Sequence, residues 1–255
     1  MEVFYFLFIG LSLGSFANVL IVRIPIGESV MGRSHCPNCH EKIIFRDLIP
    51  VISWVALKRK CRNCNSRISE MYPIVECITA ILVIATIFLL PLGPYLIAWI
   101  LFAPLSVALS AIDLQTFRLP NSLVLAATIS TLIFIVLNSV FIGSWNEFKT
   151  AIIAAFSSSF FFWIVRLLSR GGMGLGDVKL AFPIGLLLGY LGWEHAVLGL
   201  FVAFLLGAIV GIALIVFRGA SRKTPLPFGP FMLAGSWLAL LLYEKLPMQL
   251  MFLTY

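Results

Sequence analysis

An all-α polytopic membrane protein is the fold class that this sequence predicts, and three observations predict it. Of the 255 residues, 61% are hydrophobic and only 11% charged, whereas a soluble domain carries about 25% charged residues. Mean hydropathy is +1.05. The apolar residues gather into runs close to the roughly 20 residues that a helix needs to cross a bilayer.

Eight runs qualify as spans: 3–22, 73–92, 95–112, 121–140, 150–168, 179–192, 196–217 and 229–247. The sixth is short and rich in glycine. The first is expected to be retained as a span. It opens on Glu2 with no Lys or Arg, and no small-residue cleavage site follows it, unlike a secretory leader. Gly10 and Gly14, and again Gly185 and Gly189, have the spacing of close helix packing. No internal repeat or low-complexity tract is evident.

Charge sets the expected orientation. The loop 23–72 holds Arg23, Arg33, Lys42, Arg46, Lys58, Arg59, Lys60, Arg62 and Arg67, nine of the eighteen basic residues. With this loop cytoplasmic and eight spans, both termini lie outside. Arg118, Arg166, Arg170, Lys179, Arg218, Arg222 and Lys223 then join the inner side, leaving Lys149 and Lys245 outside. Sixteen against two is a strong positive-inside asymmetry. The net charge of +7 therefore reads as a topology signal. A nucleic-acid partner is not expected, because the basic residues flank spans and are not interleaved with stacking aromatics.

The same loop carries four of the five cysteines, as Cys36-Pro37-Asn38-Cys39 and Cys61-Arg62-Asn63-Cys64, two C-x-x-C knuckles 21 residues apart. Paired knuckles offer four thiolates to a tetrahedral Zn²⁺. The spacer is one residue longer than the usual four-cysteine pattern. Lys60, Arg62 and Arg67 favour the thiolate form. Two disulfides or a redox dithiol are the alternatives. A reducing cytoplasm disfavours the first, and the matched pairing disfavours the second. His35 and His40 flank the first knuckle, either as substitute ligands or as solvated side chains. Cys77 reads as a small packing residue in the second span. A metal would stabilise a module of about 50 residues that has little core of its own. Pro50, Trp54 and Leu57 are placed at the membrane interface.

Only three aspartates occur, Asp47, Asp113 and Asp177, and two of them abut apolar runs. A carboxylate in hydrocarbon costs about 2.5–3.5 kcal/mol even on a lenient scale. Each has a structural reading. Asp113 could pair with Arg118 at the membrane edge, ahead of a Pro120-Asn121 stop and cap. Asp177 could cap a helix after Gly171-Gly172-Met173-Gly174-Leu175-Gly176. Each also has a catalytic reading. Two carboxylates on one face can share a proton and activate water, as in aspartyl proteases. Their common side in the topology above favours the catalytic pair, and Gly174 and Gly176 supply backbone freedom beside it. No strand or βαβ unit surrounds these glycines, so a nucleotide loop is a weak reading. Lys179 either tunes one carboxylate or snorkels to the interface. Glu76 is another oddly placed carboxylate, at the entry of the second span. Glu194 and His195 read as solvated loop residues on the outer face.

Read together, these motifs resemble the type IV prepilin peptidases along nearly the whole chain. Gly14-Ser15-Phe16-Ala17-Asn18-Val19 with Arg23-Ile24-Pro25, the paired knuckles, Ile49-Pro50-Val51-Ile52-Ser53-Trp54 and Tyr72-Pro73-Ile74-Val75-Glu76 match that family in order. So do Ile112-Asp113 with Leu119-Pro120, Gly174-Leu175-Gly176-Asp177-Val178-Lys179-Leu180 and Pro227-Phe228-Gly229-Pro230-Phe231. The GxGD element alone is shared with presenilin-like proteases. Met71 and Asn121 depart from the family's usual Arg and Asp. The resemblance implies a bifunctional enzyme of the bacterial inner membrane, active on the cytoplasmic face. Its substrates would be prepilins or pseudopilins of pilus or type II secretion systems. It would cleave their short basic leader after Gly and N-methylate the new N-terminal residue with S-adenosyl-L-methionine. It implies Asp113 and Asp177 as the peptidase pair in a six-span core, 93–255. Residues 1–92, with the zinc loop and Glu76, would be the methyltransferase-associated part. A preflagellin-type or presenilin-like protease would lack the zinc loop. A metal-sensing channel would place polar residues inside several spans, whereas here the carboxylates cluster at one face.

Overall fold

The computed structural model describes residues 2–143, 145–169, 172–219 and 225–242. Arg170, Gly171, Arg222, Lys223, Lys245 and the last positions of the eighth expected span, 243–247, lie outside the described residues. Among the described residues the α-helices are α1 Glu2–Arg23, α2 Ile52–Ala56, α3 Met71–Leu89, α4 Pro94–Thr116, α5 Asn121–Ile142, α6 Asn146–Leu168, α7 Leu175–Leu191, α8 Trp193–Arg218 and α9 Gly229–Leu242. A short 3-10 turn covers Phe45–Leu48. Pairing between extended segments is limited to two isolated bridges in the cysteine loop.

Among the described residues six helices, α1, α3, α4, α5, α6 and α8, are long and apolar enough to cross a membrane. Helix α7 has 17 residues, about 25 Å at 1.5 Å per residue, short of the roughly 30 Å of a hydrocarbon core. In α9, 14 residues are described. Glycine and proline punctuate the helix starts. Gly93 precedes α4 with Pro94 in its first turn, and Pro120 precedes α5. Of the boundaries that move relative to expectation, two bear on the site. α4 runs on to Thr116, past 112, and α7 starts at Leu175, ahead of 179. Both shifts draw an aspartate into a helix.

The chain divides into two compact units, Met1–Thr86 with Ala103–Ala108, and Ile87–Phe102 with Leu109–Tyr255. In the first, α1 lies flat on α3 because Gly10 and Gly14 present no side chain. A Cβ on either would come within 2.6 Å of the Cα of Ala80 or Glu76. In the second, α7 is buried from Leu180 to Tyr190 at every position but Phe182. Here Gly185 packs on the α6 backbone, where a Cβ would sit 2.7 Å from Ala155 Cα. Both glycine pairs thus serve contacts within the chain, as small residues do in membranes where van der Waals packing drives association. Trp99 packs edge-on to Trp237 at 4.9 Å and to Phe102 at 5.9 Å, tying α4 to α9. A polar knot closes one end. Tyr95 donates to the Leu187 carbonyl at 2.6 Å, and Asn138 donates to the Tyr190 hydroxyl at 2.8 Å. These bonds satisfy groups that have no water to turn to.

Replacing Gly185 with Leu should force α6 and α7 apart and cost about 1–3 kcal/mol. Unfolding in detergent should report the loss, and Ile209→Leu, on an exposed position of α8, should show none.

Candidate active site and metal centre

Asp113 lies on the last turn of α4 and Asp177 on the first turn of α7. Both are buried, at 4% and 7% exposure. Both line one cavity of ≈ 350 Å³, together with Phe117, Arg118, Leu119, Asn121, Leu175 and Lys179.

A glycine amide steadies each carboxylate. Gly174 N–H donates to Asp177 Oδ2 at 3.1 Å. Gly229 N–H donates to Asp113 Oδ2 at 3.0 Å. The first bond is local: Gly174 is the residue before α7, and Asp177 reaches back to it from the third helical position. The second joins residues 116 apart in sequence. It requires glycine, because a Cβ at 229 would sit 2.7 Å from Asp113 Oδ2. Phe228, held 5.0 Å from Phe204 and 5.9 Å from Phe162, anchors this segment so that the amide next to it faces Asp113. Gly229 is a site residue that sequence reasoning missed. Its signal was the Pro227–Phe231 motif, to which no role was attached.

Several expectations need correction. Among the described residues Asp113 makes no ion pair with Arg118, and its partner is an amide. Asp177 is not the N-cap; Gly174 holds that position. Asn121 is the first residue of α5, and its side chain accepts a hydrogen bond from Lys179 Nζ at 2.9 Å. Lys179 is therefore engaged with Asn121 at the rim of the cavity and forms no ion pair with Asp177. Gly176 packs on Leu119, where a Cβ would lie 2.9 Å from that side chain, so it holds the two loops together and is not merely flexible. Arg166 donates to the Met173 carbonyl at 2.8 Å, tying the end of α6 to the glycine-rich turn. Glu194 and His195 lie in the first turn of α8, not in a loop. Cys77, expected as a packing residue, is exposed on α3.

In the cysteine loop the two knuckles repeat one geometry. Cys36 N–H donates to Glu41 O, and His40 N–H to Cys36 O. Cys61 N–H donates to Ser66 O, and Asn65 N–H to Cys61 O. His40 and Asn65 both adopt φ 57. The four sulfurs of Cys36, Cys39, Cys61 and Cys64 lie within 4.8 Å of one another. A tetrahedral zinc with bonds of about 2.3 Å sets its sulfurs about 3.8 Å apart, and Cys36 Sγ to Cys64 Sγ is 3.8 Å. Ser66 bonds Cys64 Sγ at 3.1 Å and draws that thiol down to about 6. Cys39 stands at about 11. The Glu41 amide favours its thiolate, but desolvation and the neighbouring sulfurs of Cys64, Cys36 and Cys61 oppose it. Four thiolates this close need a cation, so the donor set fits Zn²⁺. His35 and His40 stack on each other at 6.1 Å, outside the sulfur cluster. Arg62 clasps Asp47 with two bonds of 2.6 and 2.8 Å and holds its carboxyl below the usual range.

Glu76 is the sixth residue of α3 and is buried. Its Oε2 accepts the Val51 N–H at 2.8 Å. Asn18 donates to the Tyr72 carbonyl at 3.1 Å. Arg23, also buried, spans the carbonyls of Ser29, Val30 and Arg33. Residues of the family-like motifs at 14–25, 49–54 and 72–76 thus meet one another in the first unit.

Comparison with known proteins agrees with this layout. Residues 8–90 match the Bacterial Peptidase A24 N-terminal domain, and residues 99–212 match the Type IV leader peptidase family. A protein of Aeromonas hydrophila is 35% identical over 92% of this chain and 89% of its own length. One from Bacillus subtilis (strain 168) is 32% identical over 91% of each. One from Burkholderia pseudomallei (strain 1026b) is 33% identical over 92% of this chain and 84% of its own. All three bear the name prepilin leader peptidase/N-methyltransferase. No solved structure gives a significant match. With both halves matched in order and relatives aligned over nine-tenths of its length, the chain belongs to the type IV leader peptidase family.

Proposed function

We propose that this chain is a membrane aspartyl endopeptidase of type IV prepilins or pseudopilins that also N-methylates the new N-terminus. Its place in the family supports the peptidase, and the shared name of its relatives supports the substrate and the methyltransferase activity. The single observation that carries the mechanism is the meeting of Asp113 and Asp177 in one cavity.

In this mechanism one carboxylate takes a proton from water, and the hydroxyl adds to the carbonyl carbon of the Gly that ends the leader. The other carboxyl, protonated, donates a hydrogen bond to the carbonyl oxygen. Its proton then passes to the amide nitrogen as the C–N bond breaks. The amides of Gly174 and Gly229 fix one oxygen of each group, leaving the other for water and substrate. The product is a neutral amine, the form that methyl transfer requires. S-adenosylmethionine, when bound, supplies an electrophilic methyl carbon. In this reading residues 1–92 serve methylation and substrate handling and 93–255 form the peptidase core. The protein crosses the bacterial inner membrane eight times, with the loop 23–72 and the catalytic cavity on the cytoplasmic face. Cys36, Cys39, Cys61 and Cys64 hold a structural zinc. Glu76 joins the zinc loop to α3 by accepting the Val51 amide, and its charge positions the region that receives the amine.

Asp113→Asn and Asp177→Asn should each abolish cleavage of a prepilin in detergent while the unfolding midpoint is retained. Wild-type cleavage should follow a bell-shaped pH profile, because the two carboxyls titrate as a pair. Gly229→Ala, which displaces Asp113, should lower kcat by about 100-fold, as misplacement of roughly 1 Å does. Substantial activity in either Asn variant would sink the dyad. A second expectation is about one zinc per purified chain by metal analysis, falling near zero when all four cysteines are replaced by serine. Unchanged zinc content in that variant would mean other ligands. Third, Glu76→Gln should leave cleavage largely intact and reduce methylation, both read by mass spectrometry of the mature N-terminus. An Asp113→Asn enzyme given pre-cleaved pilin should still methylate it. Failure there would place both activities at one centre.

A further inference from the structure

Between the two zinc knuckles lie the 3-10 turn Phe45–Leu48 and helix α2, Ile52–Ala56. Their polarity is the reverse of a soluble module's. Ser53 is buried and donates to the Arg46 carbonyl at 2.8 Å. Trp54 turns its ring under the Arg59 guanidinium, 4.7 Å away. Asp47 is taken up by Arg62. The outward side chains are apolar: Phe45 is 90% exposed, Ile52 64% and Val55 62%. Ile44, Leu48 and Ile49 are exposed as well. Phe45 with Leu48, and Ile52 with Val55, are three residues apart, so each pair shares one helical face. Trp54, expected at the interface from sequence, is half-buried beside this face.

The depth of this face decides what covers it. Val51 joins the two short elements, and its N–H is the one that Glu76 accepts. Glu76 lies five residues past the start of α3, which is about 7.5 Å along the helix. Around that level α3 already exposes Ile74 and Ile78 outward, as a lipid-facing stripe does. The bond therefore pins the middle of segment 44–55 beside the apolar part of a spanning helix. Val51 also takes φ 60 and ψ -50, a conformation that a β-branched residue seldom adopts. The Glu76 carboxylate holds it there. Lys42, Arg46 and Lys58 are exposed around the segment, and the loop 23–72 carries nine basic residues against Glu28, Glu41, Asp47 and Glu70. Basic residues ringing an apolar face suit a headgroup layer with acyl chains beneath.

We infer that residues 44–55 form an interfacial anchor, with the side chains of Phe45, Ile49, Ile52 and Val55 among lipid acyl chains. Glu76 accepts a backbone N–H that water cannot reach at that depth. The occupant of the face is the bilayer, because the segment is tied to a spanning helix inside its apolar stretch. The zinc cluster then stands on the membrane surface on a fixed footing, and is not a tethered loop.

The test uses the full chain in nanodiscs of phosphatidylcholine and phosphatidylglycerol. The photoreactive residue p-benzoylphenylalanine replaces Phe45 in one sample, Ile52 in a second and Asn63, exposed on the second knuckle, in a third. Phe45 is so exposed that the substitution leaves the fold intact, which zinc content verifies. After irradiation, mass spectrometry should find acyl-chain adducts at positions 45 and 52 in about tenfold excess over position 63. Adducts chiefly to protein, whether substrate or a second copy, would overturn the inference. So would lipid adducts at 45 and 52 no more frequent than at 63. Neither outcome bears on the catalytic dyad, whose test is separate.

Discussion

Everything at the candidate active site depends on holding two carboxylates out of water, side by side, without neutralising them with a cation. Asp113 and Asp177 would each be stabilised by a basic partner, and Arg118 and Lys179 line the same cavity. Instead each carboxylate receives a glycine amide. An amide fixes an oxygen and carries no net charge, so in the proposed mechanism the pair stays free to share a proton. A guanidinium in its place would lock both groups ionised and remove the acid. At position 229 only a residue without Cβ brings its N–H so close to Asp113.

That constraint reaches outward through the second unit. The amide of Gly229 faces Asp113 because Phe228 is clasped by Phe162 and Phe204. The Gly174 amide faces Asp177 because Gly176 lies on Leu119 and Arg166 holds the Met173 carbonyl. α7, buried along most of its length, is the rigid post that carries Asp177. Its closeness to α6 rests on Gly185 and Gly189. A short central helix screened from lipid has no need of a full hydrophobic length, which accounts for its 17 residues.

The first unit solves a related problem with different chemistry. A loop of polar and cysteine residues has to be given a shape without a large core. Four clustered sulfurs, close enough to hold a metal ion, shape one end, and the buried Arg23 gathers three carbonyls at the other. Glu76 ties the middle to α3. Each of these contacts satisfies groups that would be costly to leave bare near a membrane.

The sequence by itself determined the class of the molecule, most of its helices and the residues that meet in its cavity and its cysteine cluster. Hydrophobic runs locate spans because the bilayer demands length and apolarity, and these are one-dimensional properties. The cysteine knuckles were legible for a similar reason, since their ligand spacing is local. Asp113 and Asp177 stood out as rare charges beside apolar runs. Tertiary structure alone decided the rest. It decided that Asp113 answers to Gly229 and not to Arg118, a choice between partners 116 and 5 residues away. It decided that Lys179 binds Asn121, and that Glu76, read as a carboxylate at a span entry, is a buried acceptor for Val51. Hydrogen-bond partners across helices depend on how those helices pack, and packing in a bilayer is set by side-chain shape, which no linear pattern records.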